Sequence, residues 1–237
     1  MLQTNLERPR TDYHFIRTPW FILFVIGCFA LMGQRLTVVG PVESADNGAD
    51  LKGGTQPLVR QIHYASPAQV IATNGMSGQV FADLTAETPD GGHLNWESLS
   101  LDLPVVLVFV KQGCPCNVEF EQFFQRVERL YRGSVRFATV IDGDADAARA
   151  YAAQLAVPYP VLPDPERSLI RGFQAENGGY FVLLGSDGVI DGFWPGCSAD
   201  SLRDLGRRIA RHAAVEERSL DTESMPGPLL TGCPFER

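Results

Sequence analysis

Apolar and polar positions divide the chain into segments of unlike character. Trp20 to Met32 (WFILFVIGCFALM) is an unbroken apolar run, and Gly33 to Gly40 stretch it to the roughly 20 residues that cross a bilayer as a helix. Residues 41–57 (PVESADNGADLKGGTQP) hold almost nothing apolar and read as a linker. Leu58 to Ser77 has apolar residues without a clean period, and reads as a lead-in packed on the domain edge. From Gln79 the pattern sharpens. Alternation on either side of Pro89-Asp90-Gly91-Gly92 predicts two short strands of a hairpin. The run PVVLVFV at 104–110 has no polar break, which predicts a strand covered on both faces.

Cys114 to Tyr131 places Val118, Phe120, Phe123, Phe124, Val127, Leu130 and Tyr131 at helical spacing, with Glu119, Glu121, Arg126 and Arg129 outside, so this is an amphipathic helix. Val135 to Ile141 predicts a strand, and Asp144 to Ala156 a helix with Asp144 as its N-cap. Tyr180 to Leu184 and Val189 to Phe193 predict two strands about the turn Gly-Ser-Asp-Gly. Ser198 to roughly Glu216 predicts a last helix bearing Leu202, Leu205 and Ile209, and Arg218 to Arg237 reads as an extended tail.

Alternation of strand and helix implies parallel pairing with right-handed crossovers in the first half, while the late hairpin is antiparallel. The expected fold class is α/β, a central mixed β-sheet flanked by helices, preceded by an N-terminal single transmembrane helix. The divisions are 1–40, a tail and membrane anchor; 41–77, linker and lead-in; 78–216, the α/β domain; and 217–237, the tail.

Charge adds an orientation. The 237 residues carry a formal −8, of which the first 40 hold a net +2 and the rest −10. An acidic body argues against nucleic acid as a partner. Arg8, Arg10 and Arg17 precede the apolar run, and only Arg35 and Lys52 follow closely. The positive-inside bias therefore puts the N-terminus in the cytoplasm and the domain on the periplasmic, extracytoplasmic side of an inner membrane. A signal anchor held in the membrane through residues 18–40, with Trp20 at an interface, is the favoured reading. Two others stay open: a cleaved signal peptide ending near Val42 and Ser44, and a lipoprotein acylated at Cys28 within Val25-Ile26-Gly27-Cys28. All three put the body where disulfides persist.

Five cysteines (Cys28, Cys114, Cys116, Cys197, Cys233) are too few for a disulfide scaffold, so their positions matter more than their number. Gly113-Cys114-Pro115-Cys116-Asn117 stands where the buried strand hands over to the amphipathic helix. Proline suits the first helical position because its missing N–H would have no partner there, so Pro115 makes Cys114 the N-cap. The positive end of the helix then stabilises a thiolate on Cys114 and makes it the candidate nucleophile. Cys116 is the nearest candidate to resolve a mixed disulfide, and a bridge between the two would be strained and oxidising. The competing readings are a pair of small packed residues, or a Cu(I) site of two thiolates, for which His63, His93 and His212 offer imidazoles only at a distance in sequence. No second close Cys or His pair exists for zinc. Neither metal nor cofactor is expected, since exchange through a thiolate needs none.

At these residues the chain resembles the thioredoxin-like superfamily, in its redoxin (AhpC/TSA-like) and membrane-anchored thiol-disulfide oxidoreductase branch. Phe81-Ala82-Asp83-Leu84 with Pro89-Asp90-Gly91-Gly92 is similar to the family's opening hairpin, Val105 to Phe109 followed by Cys114-Pro115 to its reactive-cysteine signature, and Phe181 to Gly188 to its late hairpin. The resemblance implies thiol-disulfide exchange with protein thiols and disulfides and with a redox partner. Three departures accompany it. The usual Cys-x-x-Cys is Cys-x-Cys. The cis-proline that faces the reactive cysteine and binds substrate backbone is replaced by Gly178-Gly179. The peroxiredoxin threonine three residues before the cysteine is Lys111, which disfavours a thiol peroxidase. Cys197, in FWPGCS, reads mainly as a packed residue, and Cys233, in TGCPFE, as a thiol that a flexible tail could carry to Cys114; both are candidate resolving partners. The acidic cluster Asp142-Asp144-Asp146 reads as a solvated face. Besides the exchange enzyme, the alternatives are a non-catalytic accessory subunit docked on a membrane complex and a copper-handling protein of the same fold.

Overall fold

The computed structural model describes residues 62–235. The apolar run at 20–32, Cys28 and the linker at 41–57 lie outside the described residues. Among the described residues no helix is long and apolar enough to cross a membrane.

The elements in chain order are β1 (His63–Tyr64), α1 (Pro67–Asn74), β2 (Thr85–Glu87), β3 (His93–Asn95), α2 (Trp96–Ser100), β4 (Val105–Val110), α3 (Pro115–Tyr131), β5 (Arg136–Ile141), α4 (Ala145–Leu155), β6 (Val161–Pro163), α5 (Ser168–Gly172), β7 (Phe181–Leu184), β8 (Ile190–Trp194), α6 (Ala199–His212) and β9 (Leu230–Thr231). Five strands form the central sheet in the order β6-β5-β4-β7-β8. β4, β5 and β6 run parallel, and β7 and β8 are antiparallel to their neighbours, which is the mixed α/β sheet expected.

All six residues of β4 are buried, and their alternation explains the polar-free run. Val106, Val108 and Val110 join Phe120, Phe124 and Val127 of α3 and Leu202, Leu205 and Ile209 of α6 in one apolar layer. Val105, Leu107 and Phe109 face the opposite layer with Trp96 and Leu99 of α2, Ile170 of α5 and Phe173. A central strand sandwiched in this way has no face that tolerates a polar residue.

Three differences from the sequence reading stand out. The lead-in contains a helix, α1, begun by Ser66, whose hydroxyl accepts from the Gln69 amide while the Gln69 side chain accepts from the Ser66 amide. Such a capping box contributes about 1 kcal/mol. Secondly, β6 and α5 stand between α4 and β7; both are too short for periodicity to reveal, and β6 ends in Pro163 at the edge of the sheet, where a missing donor is harmless. Thirdly, α6 stops at His212 rather than near Glu216. Ala214 turns to φ 51° and the Val215 amide returns to the Ala210 carbonyl at 2.9 Å, closing the helix.

Past α6 the tail comes back across the domain. β9 pairs antiparallel with β1, so the first described strand and the last form a two-stranded ribbon of their own.

Candidate functional site

β4 delivers the chain to the C-terminal end of the central strand at Val110, and a tight turn carries it into α3. Gly113 sits at φ +74°, a backbone shape that favours glycine. The Gln112 amide donates to Asp142 Oδ1 at 2.6 Å, and the Cys114 amide to the Lys111 carbonyl at 3.2 Å. Asp142 therefore anchors the turn and Asp144 caps α4 on the Ala147 amide, so the acidic cluster is partly structural rather than only a solvated face.

Cys114 occupies the N-cap with extended backbone, and Pro115 begins the helix, as expected. Its side chain makes no cap hydrogen bond of the usual geometry. The sulfur is buried and accepts the Cys233 amide at 3.1 Å. Burial alone would push the thiol up. The Cys233 thiol and amide and the backbone amides of Asn117 and Cys116 outweigh it, so Cys114 lies below the ordinary thiol value. Cys233 is raised by burial, by sharing its proton with Cys114 and by the nearby Cys114 and Cys116 sulfurs, with Lys111 pulling the other way. The pair thus keeps its negative charge on Cys114 and its proton on Cys233.

The tail meets the residues just before β7. The Gly178 amide donates to the Cys233 carbonyl at 3.0 Å, and the Gly232 amide donates to the Gly178 carbonyl at 2.6 Å. Asn177 bridges antiparallel to Pro234, its Nδ2 donates to the Gly232 carbonyl at 2.9 Å, and the Phe235 amide donates to the Glu176 carbonyl at 2.8 Å. Gly178-Gly179 therefore lies beside the reactive turn, as the resemblance places it, but with the chain's own C-terminal segment laid along it.

The other cysteines take different places. Cys116 is buried in the first turn of α3 and lines a cleft of about 240 Å³ with His63, Phe120 and Thr231. Cys197 is fully buried, which pushes its thiol strongly up, and it meets the tail through its backbone: its amide donates to the Leu230 carbonyl at 2.7 Å and its carbonyl accepts from the Leu230 amide at 3.0 Å. None of the four described cysteines is bridged.

Asn117 was not singled out in the sequence. It is buried, its Nδ2 donates to the Lys111 carbonyl at 3.3 Å and its Oδ1 has no partner. A Cβ at Gly178 would come within 2.5 Å of it and a Cβ at Gly232 within 2.7 Å, so this side chain crowds both glycines, the second together with the Gly178 carbonyl oxygen at 2.6 Å. The signal available in the sequence was the repeated tripeptide Gly-Cys-Pro, at 113–115 and again at 232–234. Glu121, one turn further along α3, is 1% exposed and accepts from the Tyr159 hydroxyl at 2.6 Å and from Tyr151 and Gln125 at 3.2 Å. Burial raises it despite those bonds.

Residues 77–192 match the model of the AhpC/TSA family. Among solved structures the chain is similar to a hypothetical protein of Sinorhizobium meliloti (15% identical, TM-score 0.53, covering 67% of this chain and 92% of that one). It is also similar to an uncharacterized conserved protein of Geobacillus kaustophilus (16%, TM-score 0.52, 68% and 92%) and to a candidate protein disulfide isomerase of Bacteroides thetaiotaomicron (18%, TM-score 0.50, 58% and 90%). These likenesses show the fold alone. No curated protein matches the sequence.

Proposed function

We propose that this chain, whose residues 77–192 match the AhpC/TSA family, is a membrane-anchored thiol-disulfide exchange protein of the thioredoxin-like superfamily whose nucleophile is Cys114. The observation that carries this reading is the buried Cys114 sulfur at the start of α3, held below the ordinary thiol value by the Cys233 thiol and amide and by the first-turn amides. Attack of the Cys114 thiolate on a substrate disulfide forms a Cys114–substrate S–S bond, and the other substrate sulfur leaves as thiolate and takes a proton from water. A second thiol then releases the substrate. The hydrogen-bonded position of Cys233 supports it for that role over Cys116, whose bridge to Cys114 would span one residue at a helix start.

The substrates in this reading are protein thiols and disulfides, the anchor is residues 18–40, and the domain stands on the extracytoplasmic side. The test is insulin disulfide reduction by the reduced full-length chain in detergent. Cys114→Ser is expected to abolish it, and undiminished turnover in that variant would sink the reading. The occupied groove beside Gly178 also suits an accessory subunit docked on a membrane complex. Cys114 unreactive toward disulfides in the intact chain would favour that second reading.

A further inference from the structure

The C-terminal segment holds to the domain as an added strand would. Glu176, Asn177 and Gly178 exchange backbone hydrogen bonds and a side-chain bond with Gly232, Cys233 and Phe235, from 2.6 to 3.0 Å, and Leu230 is clamped to Cys197 from both sides. This is the bonding by which an extended peptide is bound at a strand edge. The fit is specific at its centre. A Cβ on Gly232 would lie 2.6 Å from the Gly178 carbonyl oxygen and 2.7 Å from Asn117 Oδ1, so only glycine lets the following cysteine reach Cys114. Pro234 follows, and Phe235 is buried with Ile170 and Phe173 in the second apolar layer.

We propose that residues 230–235 are a removable strap, the resident peptide of this groove: it closes Cys114 to an incoming polypeptide and, on returning, supplies Cys233 as the second thiol of the couple. The inference rests on Cys114 being the nucleophile of the exchange. With the strap lifted, Cys114 and the substrate form the mixed disulfide described above. When the strap re-docks, Cys233 gives its proton to water and attacks the Cys114 sulfur; the Cys114–Cys233 bond forms, the mixed disulfide breaks, and the second substrate sulfur leaves as thiolate. Two electrons have then passed from the two protein thiols to the substrate disulfide. Burial still raises the Cys233 thiol at that stage, but the shared proton and the charge of Cys114 no longer add to it, because Cys114 is in a disulfide.

The experiment uses the full-length chain, with both proteins held at one mildly alkaline pH. Wild type oxidised with one equivalent of glutathione disulfide is mapped by mass spectrometry, and the Cys114–Cys233 bond is expected. Gly232→Val, which drives a side chain into the Gly178 carbonyl, is expected to react with insulin about tenfold faster or more in the first turnover, because the open fraction of the groove rises. A Cys114–Cys116 bond in the wild type, or insulin reacting with both proteins at one rate, overturns the strap while leaving Cys114 as nucleophile. Cys114 inert to iodoacetamide in both proteins overturns the exchange reading and the strap with it. The disulfide map needs no variant and so stands even if Gly232→Val fails to fold.

Discussion

The backbone amide of Cys233 points at the sulfur of Cys114 from 3.1 Å, although 119 residues separate the two along the chain. An amide aimed at a sulfur favours thiolate over thiol, as the N-terminal amides of α3 also do. The fold therefore brings a second Gly-Cys-Pro tripeptide onto the first, and divides one charge and one proton between two sulfurs.

That division sets an order of reactivity. Cys114 is held below the ordinary thiol value, Cys233 is raised, and Cys197 is raised and fully buried. Iodoacetamide is expected to label Cys114 first, with a pH midpoint below that of an ordinary free thiol, and to reach Cys197 only on unfolding. Replacing Cys233 by Ala removes a donor to the thiolate, so the Cys114 midpoint should move up. A midpoint that stays put would show that the Cys233 thiol does nothing for the charge, leaving its backbone amide as the strap's contribution.

Gly178→Ala tests the packing of the groove. The new methyl would lie 2.5 Å from Asn117 Nδ2 and 3.0 Å from the Lys111 backbone nitrogen, and overpacking of this kind costs about 1–3 kcal/mol in urea unfolding. Asn117→Ala in the same chain removes one of the two obstacles, so the double variant should lose less than the sum of the singles. Strict additivity would mean that Asn117 is not what forbids a side chain there.

Glu121 gives a pH dependence with a definite sign. Burial raises its folded-state pKa, so ionisation costs stability that is intact below the unfolded carboxyl value near 4.3 and is lost as pH rises through the raised folded value. Glu121→Gln, which keeps a hydrogen-bonding group beside Tyr159 and Tyr151, should be more stable than wild type at pH 8, with the gap closing toward pH 4. A variant weaker than wild type at pH 8 would show that the ionised carboxylate, with its three donors, is the better core group.

Cys116 separates the two candidate couples. If Cys233 is the second thiol, Cys116→Ser should retain a reversible two-electron titration against glutathione buffers, and Cys233→Ser should leave the mixed disulfide with glutathione on Cys114. The opposite pattern would return the role to Cys116.

Much of the central sheet was legible because its strands are long, apolar on both faces and separated by helices with clear caps. β4, α3, β5 and α4 lie within a residue or two of where alternation, Pro115 and Asp144 put them. The reactive turn was legible for the same reason, since proline at a helix start is a local signal. The strap was not. Leu230 to Phe235 has no period, and its structure depends on hydrogen bonds to residues far away in sequence, with donors and acceptors that every backbone carries. Asn117 was hidden because a buried amide on a helix has the same letter as an exposed one; only the two glycines that make room for it give it away.

The β1–β9 ribbon makes the site answerable to the other end of the domain. His63 and Tyr64 hold Thr231 and Leu230, and the Ala65 amide adds a bond to the Leu229 carbonyl at 3.0 Å, immediately before the residues that close the groove. Lifting the strap cooperatively means unzipping this ribbon. The free energy that couples the two events is necessarily the same in both directions: whatever draws residues 63–65 away from the domain loosens Cys233 from Cys114, and whatever takes the place of Cys233 loosens residues 63–65.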